Sequence, residues 1–309
     1  MYLIRKEIII NKYRQGQIST EDFFIKLIEE EKKEKRESVE KKALEKLNKL
    51  IGLKRVKKVV EEIIAVTLVQ KIRKEKLLKS EPVVMHMIFK GNPGTGKTTV
   101  ARILGEVFYE MNVLSQGHLV EAERADLVGE YIGHTAIKMR NHVKKAQGGI
   151  LFIDEAYSLC RGGKKDFGKE AIDALVKGME DNREDFILIL AGYKEEMDAF
   201  LRSNPGLKSR FPIQIEFEDY NLDELISIGE LMLKDREYKL SLGAKKKMKD
   251  VIEKNYKRDR YIGNARMVRN IIEASIRNQA VRLKKTNKYG VEDLIYIRKE
   301  DINKGEING

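Results

Sequence analysis

The sequence holds a single cysteine, Cys160, among its 309 residues. One thiol excludes a disulfide framework, and a chain built without one suits a reducing compartment. Cys160 itself is expected to be a small buried or half-buried residue. Long hydrophobic runs are lacking too. The N-terminal cluster Ile8-Ile9-Ile10 is too short for the core of a signal peptide and is followed by Asn11 and Lys12. Nothing approaches the roughly 20 apolar residues that cross a bilayer. These absences lead to the expectation of a soluble, cytoplasmic protein without a membrane partner.

Enough apolar residue is present, 42%, to fill the core of one large or two medium domains. The net charge of +12 is uneven: from Lys234 to the C-terminus, 21 Lys/Arg stand against 11 Asp/Glu, a difference of +10. A basic C-terminal third can touch nucleic acid or an acidic partner. Here lysines and acids interleave and aromatics are sparse, which favours a solvated helical face over a nucleic-acid surface.

Residues 1–45 read as helical and charged. Ser19-Thr20-Glu21-Asp22 is a helix-start signal ahead of Phe23, Phe24, Ile25, Leu27 and Ile28. The tract from Glu29 to Glu45 carries Glu and Lys at i,i+4 spacings, the pattern of a solvent-exposed helix. It contains no chemistry. Leu47 to Leu53 is an apolar, glycine-broken segment ahead of a helix over Val56–Glu75.

Continuous apolar runs follow at Val83–Phe89, His118–Glu121, Gly149–Ile153, Phe186–Ala191 and Ile213–Phe217. Helical patterns lie between them at Thr98–Tyr109, Thr135–Lys145, Glu170–Met179 and Glu195–Leu201. Apolar strands alternating with helices predict a parallel sheet buried on both faces, an α/β domain over residues 46–219. After Asp219 the pattern switches to helices alone, Leu222–Leu233, Lys245–Lys254 and Ala265–Leu283. This predicts a smaller all-helical domain over 220–300 and a polar, fraying tail over 301–309.

The most specific stretch is Gly91-Asn92-Pro93-Gly94-Thr95-Gly96-Lys97-Thr98-Thr99. It fits G-x-x-x-x-G-K-[ST] at every fixed position, with a strand entering and a helix leaving. Its glycines let consecutive backbone N–H groups point into one concavity, and the helix offers its positive end to the same anion. Lys97 is the candidate for reaching the β- and γ-phosphates, and Thr98 for placing its hydroxyl on Mg²⁺. The second signal is Asp154-Glu155 at the tip of an apolar strand. Asp154 suits the metal, and Glu155 suits orienting and deprotonating the attacking water. ATP and Mg²⁺ are thus the expected cofactors.

Loop, acidic pair and trailing helical domain together resemble an AAA+ ATPase. The resemblance implies a P-loop AAA+ domain followed by a small helical lid. It implies further roles, residue by residue. Tyr131-Ile132-Gly133 resembles the pore loop that grips a polypeptide, and an exposed aromatic beside a flexible glycine can wedge against side chains. Arg210, in Asn204-Pro205-Gly206-Leu207-Lys208-Ser209-Arg210-Phe211-Pro212, resembles the arginine that reaches a neighbouring subunit's γ-phosphate. Arg266, in Gly263-Asn264-Ala265-Arg266, resembles the lid arginine that touches nucleotide in the same chain, with Arg269 as second choice. Ile51-Gly52-Leu53 resembles the segment that contacts adenine.

One position departs from the pattern. The fourth strand ends Leu190-Ala191-Gly192-Tyr193 rather than on the Asn or Thr usual for sensing the γ-phosphate, leaving Tyr193 as the nearest polar candidate. That ending recurs in a narrower AAA+ group that includes red-type Rubisco activases and sporulation ATPases. The sequence resembles this group over most of residues 46–285, through Gly129–Ala136, Phe152–Leu159 and Asp166–Ile172, and its nearer likeness is to the sporulation members. The resemblance implies an ATP-hydrolysing remodeller, a homo-oligomeric ring of six chains acting on an unidentified protein client. A DNA-acting ATPase of clamp- or helicase-loader type, a Rubisco-activase-like remodeller and a nucleotide-gated switch are the alternatives.

Overall fold

A computed structural model of the chain describes residues 2–80, 83–129, 131, 133–161, 167–181, 185–258 and 263–302. Two helices come first, α1 (Tyr2–Arg14) and α2 (Thr20–Asn48). Ser19 caps α2 by accepting from Asp22 N at 3.0 Å. The two helices pack as a hairpin, with Tyr13 stacked on Phe23 at 4.4 Å and Arg5 paired with Glu30. Helix α2 passes unbroken through residues 45 and 46 into the body of the protein. There Leu47 is buried, and Lys46 reaches Glu106 and Glu110 at 2.8 and 2.9 Å.

The central unit runs α3 (Lys54–Glu75), β1 (Met87–Gly91), α4 (Lys97–Glu110), β2 (Leu119–Ala122), α5 (Arg124–Leu127) and α6 (His134–Lys145). It continues with β3 (Ile150–Ile153), α7 (Gly168–Asp181), β4 (Ile187–Gly192), α8 (Lys194–Ser203), α9 (Pro205–Lys208) and β5 (Ile213–Phe217). These five strands form one parallel sheet in the order β2-β3-β4-β1-β5. Strand β1, which carries the glycine loop, therefore lies between β4 and β5, one strand away from β3.

The two-residue period of a strand divides the core between the sheet faces. Met87, Phe89, Ile150, Phe152, Ile189 and Ile215 point to one side, against Val60 and Ile64 of α3 and Leu104 and Phe108 of α4. Ile88, Leu151, Ile153, Leu188 and Leu190 point to the other, against Met139 of α6, Leu175 of α7 and Met197 of α8. Strand β1 starts four residues later than the apolar run suggests. Met87 pairs with Ile189 and Ile213 near the starts of β4 and β5, so Val83 and Val84 have no ladder to join and remain exposed.

The second unit contains α10 (Leu222–Lys234), β6 (Lys239–Leu240), α11 (Leu242–Arg258), α12 (Asn264–Thr286), α13 (Val291–Ile295) and β7 (Tyr296–Ile297). A reciprocal capping box starts it: Glu224 N donates to Asn221 Oδ1, and Asn221 N donates to Glu224 Oε2, each at 2.9 Å. The lid is helical, with one addition, a two-residue parallel pair between β6 and β7. Its end also extends past residue 300. Asp301 is 1% exposed and pairs bidentately with Arg282 at 2.7 and 2.8 Å, and Ile302 is fully buried. These two residues belong to the packed lid rather than to a tail, while 303–309 lie outside the described residues. No described helix is long and apolar enough to cross a membrane.

Candidate active site

The glycine loop follows directly from β1. Gly91 closes the strand, and a Cβ there would lie 2.5 Å from Phe217 O on β5. Gly94 and Gly96 have φ of 74° and 96°, the left-handed region that glycine enters without strain. Gly96 caps α4, whose first-turn N–H groups at Lys97, Thr98 and Thr99 have no helical carbonyl to bond. The Thr95 hydroxyl donates to Asn92 O at 2.7 Å and is fully buried, so this side chain braces the loop from within. Lys97 is 9% exposed, and its ammonium donates to Gly91 O and Asn92 O at 2.8 and 2.9 Å. Burial pulls its pKa below the ordinary lysine value. Asp154 opposes that shift, Arg266 adds to it, and Asp219 and Glu155 oppose it.

A cleft of about 360 Å³ opens in front of the loop. Gly91, Pro93, Gly94, Gly96, Lys97, Thr98 and Thr99 line it. Asp154 and Glu155 enter from the end of β3, and Gly192 and Tyr193 from the end of β4. Arg266 and Arg269 of α12 face them from the lid. The far end is apolar, walled by Leu50, Ile51 and Leu53 with Ile228, Leu231 and Met232 of α10, beside Asp235. One end thus offers glycine-loop amides and a buried cation, and the other offers a greasy slot of the kind that takes an aromatic ring.

The donor set fits a nucleoside triphosphate with Mg²⁺. The Thr98 hydroxyl and the Asp154 carboxylate share the cleft, which leaves the other positions of an octahedral ion to phosphate oxygens and water. Among the described residues, no group of three His, Cys, Asp or Glu side chains can hold a metal without such help. Glu155 has φ 47° and ψ 43°, a left-handed conformation costly for a residue with a Cβ. Its N–H donates to Asp154 Oδ1 at 2.9 Å, which holds the Asp154 carboxylate at the strand tip. Next to them Tyr157 is buried, its ring 6.0 Å from that of Tyr193, with the Arg161 guanidinium over the Tyr157 ring at 4.6 Å. Burial, and next the charge of Glu155, push the Tyr157 hydroxyl well above its ordinary range, so it stays protonated.

Several expected residues fall elsewhere. Asn92 and Thr95 are absent from the cleft wall: the Asn92 side chain turns to Asp219, and Thr95 packs inward. Gly52 is also absent from it. It turns the chain at φ 66°, where a Cβ would meet the Glu224 carboxylate at 2.6 Å, so of Ile51 and Gly52 only Ile51 faces the cleft. Arg210 is outside the cleft and held on the surface by Glu180, at 2.6 and 3.1 Å, and by Gly206 O at 2.7 Å. Tyr131 is 66% exposed and meets the His134 ring edge-on at 5.4 Å, while Gly133 caps α6 at φ 81° with open space around it. Ile132 lies outside the described residues. Cys160 is exposed rather than buried, because it ends the short turn after Glu155, where its sulfur accepts from Asn204 Nδ2 at 3.5 Å.

Sequence reading missed Asp219 and Asn264, which join loop to lid, and Tyr220, whose hydroxyl donates to Thr95 O at 3.2 Å. It also missed the α10 side of the apolar slot. The only local signals were the Gly263-Asn264-Ala265-Arg266 stretch and the change of pattern after Asp219.

The pattern described as "ATPase family associated with various cellular activities (AAA)" matches residues 87–219, and an AAA lid domain matches residues 221–307. Stage V sporulation protein K of Bacillus subtilis (strain 168) is 58% identical over 253 residues, covering 81% of this chain and 79% of the relative. The chloroplastic ribulose bisphosphate carboxylase/oxygenase activase of Cyanidioschyzon merolae is 42% identical over 254 residues, covering 80% and 85%. Among solved structures, the FIGL-1 AAA domain in complex with ADP aligns with a TM-score of 0.55 at 15% identity, over 81% of this chain and 80% of that one. A Thermotoga maritima RuvB Holliday junction branch migration motor aligns at 0.51 and 21%, over 81% and 67%. At such identities the two structures speak for the fold alone. Parallel sheet, glycine-loop cleft, family patterns and relatives agree: the chain belongs to the AAA family of ATPases, with an AAA lid domain.

Proposed function

We propose that this ATPase is a protein remodeller, in which ATP turnover in the cleft moves the lid against the core and a ring of six copies passes that motion to a protein client. The observation that carries this reading is the division of the hydrolytic set. Lys97, Thr98, Asp154, Glu155 and Arg266 line one cleft, while Arg210 stands outside it on the surface. In this reading a neighbouring copy brings Arg210 to the cleft from outside. The central parallel-sheet unit acts as the ATPase core and residues 220–302 as the lid, with the hairpin of α1 and α2 held against α4 through Lys46. The 58%-identical stage V sporulation protein K supports a setting in sporulation.

Within the cleft, Lys97 leaves the carbonyls of Gly91 and Asn92 to meet the β- and γ-phosphates. Thr98 and Asp154 would hold Mg²⁺, which would offset phosphate charge. Glu155 orients the attacking water and takes its proton as the bond to the leaving ADP oxygen breaks. Arg266 approaches from the lid. Arg210 of the neighbouring copy stabilises the transferring phosphoryl group, a contribution of roughly a thousandfold or more. Exposed Tyr131, beside the open Gly133, is the grip on the client.

Mixing two inactive variants tests the shared site. Arg210→Ala and Glu155→Gln should each lose turnover alone. Combined, they should regain part of it, because some interfaces then pair an intact Glu155 with an intact Arg210. No recovery at any mixing ratio contradicts a site shared between chains. Crosslinking and pull-down with Glu155→Gln in sporulating cells addresses the client. One dominant protein is expected, and recovery of nucleic acid in its place overturns the remodeller reading.

A further inference from the structure

Helix α12 of the lid begins directly on the glycine loop. Ala265 N donates to Gly94 O at 3.1 Å, and a Cβ at Gly94 would lie 2.3 Å from Gly263 O. Beside this contact stand three side chains far apart in sequence. Asn92 of the loop donates its amide to both oxygens of Asp219, at 3.0 and 2.9 Å. Asn264 of the lid donates to Asp219 Oδ1 at 2.8 Å. The Asn264 carbonyl oxygen accepts from Tyr220 N at 3.0 Å, which fixes the way its amide faces. Asn264 is 1% exposed and sits at φ 44°, a left-handed conformation that asparagine tolerates better than other residues with a Cβ.

The chemistry of this triplet is specific. Two amide NH₂ groups converge on one carboxylate, which only accepts, so charge-assisted hydrogen bonds hold them together. Its position matters as much. The Asn92 main-chain oxygen is one of the two carbonyls that hold the Lys97 ammonium. Asn264 lies two residues before Arg266, which lines the same cleft. A chain of contacts therefore runs from Lys97 through Asn92, Asp219 and Asn264 to the start of the helix that carries Arg266.

We propose that Asp219 is a positioning residue that couples the glycine loop to the lid, so that the phosphate contact of Lys97 and the aim of Arg266 are set together. This rests on the reading that the cleft binds and hydrolyses ATP. When Lys97 turns from the Asn92 carbonyl to phosphate, the loop shifts, and Asp219 passes the shift to Asn264 and the start of α12. The lid then closes on a filled cleft and relaxes from an empty one.

An exchange of chemistry between two positions tests the coupling. Asp219→Asn places an amide NH₂ against one of the two amide donors and should lower kcat/KM for ATP by about tenfold. Its melting temperature should change little, because Asp219 is exposed. Asn264→Asp sets two carboxylates together and should be impaired as well. The double variant D219N/N264D restores the match: the new amide at 219 donates to the new carboxylate at 264 and accepts from Asn92, and Tyr220 N keeps its acceptor. It should recover to within about threefold of the parent, a rescue that distinguishes a matched pair from general damage. In an Arg266→Ala background, Asp219→Asn should cost nothing more. Unchanged kinetics in Asp219→Asn, a double variant no better than the worse single, or full additivity with Arg266→Ala overturns the proposal. If instead Lys97→Ala turns over ATP like the parent, the reading of the cleft fails, whatever the exchange shows.

Discussion

Gly94 meets the start of the lid helix α12 through the Ala265 N–H, and Gly94→Ala separates two effects of that contact. The first is local. Residue 94 has φ 74°, and a residue with a Cβ in the left-handed region costs about 1–2 kcal/mol. This strain is present with or without nucleotide, so it lowers the melting temperature by a few degrees. The second effect is geometric. The added Cβ would lie 2.3 Å from Gly263 O and 2.9 Å from Arg266 N, both backbone atoms. The start of α12 must withdraw by roughly 1 Å or more to reach an ordinary contact distance. Withdrawal breaks the bond from Ala265 N to Gly94 O and carries Arg266 with it. Misplacement of that size near a reacting centre costs on the order of 100-fold in rate. The assay pairs thermal melting with steady-state ATP turnover on the same preparation. A modest loss of stability with a large loss of turnover is expected. Turnover within about twofold of the parent would refute the reasoning, since the lid contact would then have no bearing on chemistry.

Two further outcomes follow from buried groups in the lid and hinge. Asp301→Ala strands the Arg282 guanidinium, which is 15% exposed against 1% for its partner, and should destabilise the lid by about 3 kcal/mol in denaturant unfolding; an unchanged midpoint would place residue 301 in a loose tail after all. Burial, and next the charge of Glu224, push the Tyr220 hydroxyl from 10.0 up to about 12. The folded protein thus keeps a proton that the unfolded chain gives up, so Tyr220 contributes stability that is complete below pH 10 and lost as pH rises toward about 12. Melting curves should show the parent losing more stability across that window than Tyr220→Phe, and parallel losses would contradict the shift.

The parts of the site written in consecutive residues were legible. Gly91–Thr99 fixes its own backbone through glycine, and Asp154-Glu155 ends an apolar run whose alternate side chains fill both sheet faces. Contacts between distant segments were not. The start of β1 depends on where β4 and β5 begin. Continuity of α2 past residue 45 shows in the pairing of Lys46 with Glu106 and Glu110, and burial of Ile302 depends on the lid packing around it. Gly52 lies in the expected segment, yet it serves the turn against Glu224 rather than the cleft wall. The link through Asn92, Asp219 and Asn264 has the least sequence signal, because its members lie far apart in sequence and only the fold brings them together. Tyr131 illustrates the converse: its exposure could be anticipated from an aromatic beside glycine in a polar stretch.

In the proposed function, Glu155 takes the proton of the attacking water in a cleft that binds ATP without its help. Parallel measurement of ATP affinity and ATP turnover in Glu155→Gln tests it most directly. The amide keeps the shape of the side chain and cannot serve as base. Affinity close to the parent's is expected, with turnover reduced by roughly 100-fold or more. Turnover at the parent's rate would contradict the claim, and the base would then have to be sought elsewhere in the cleft.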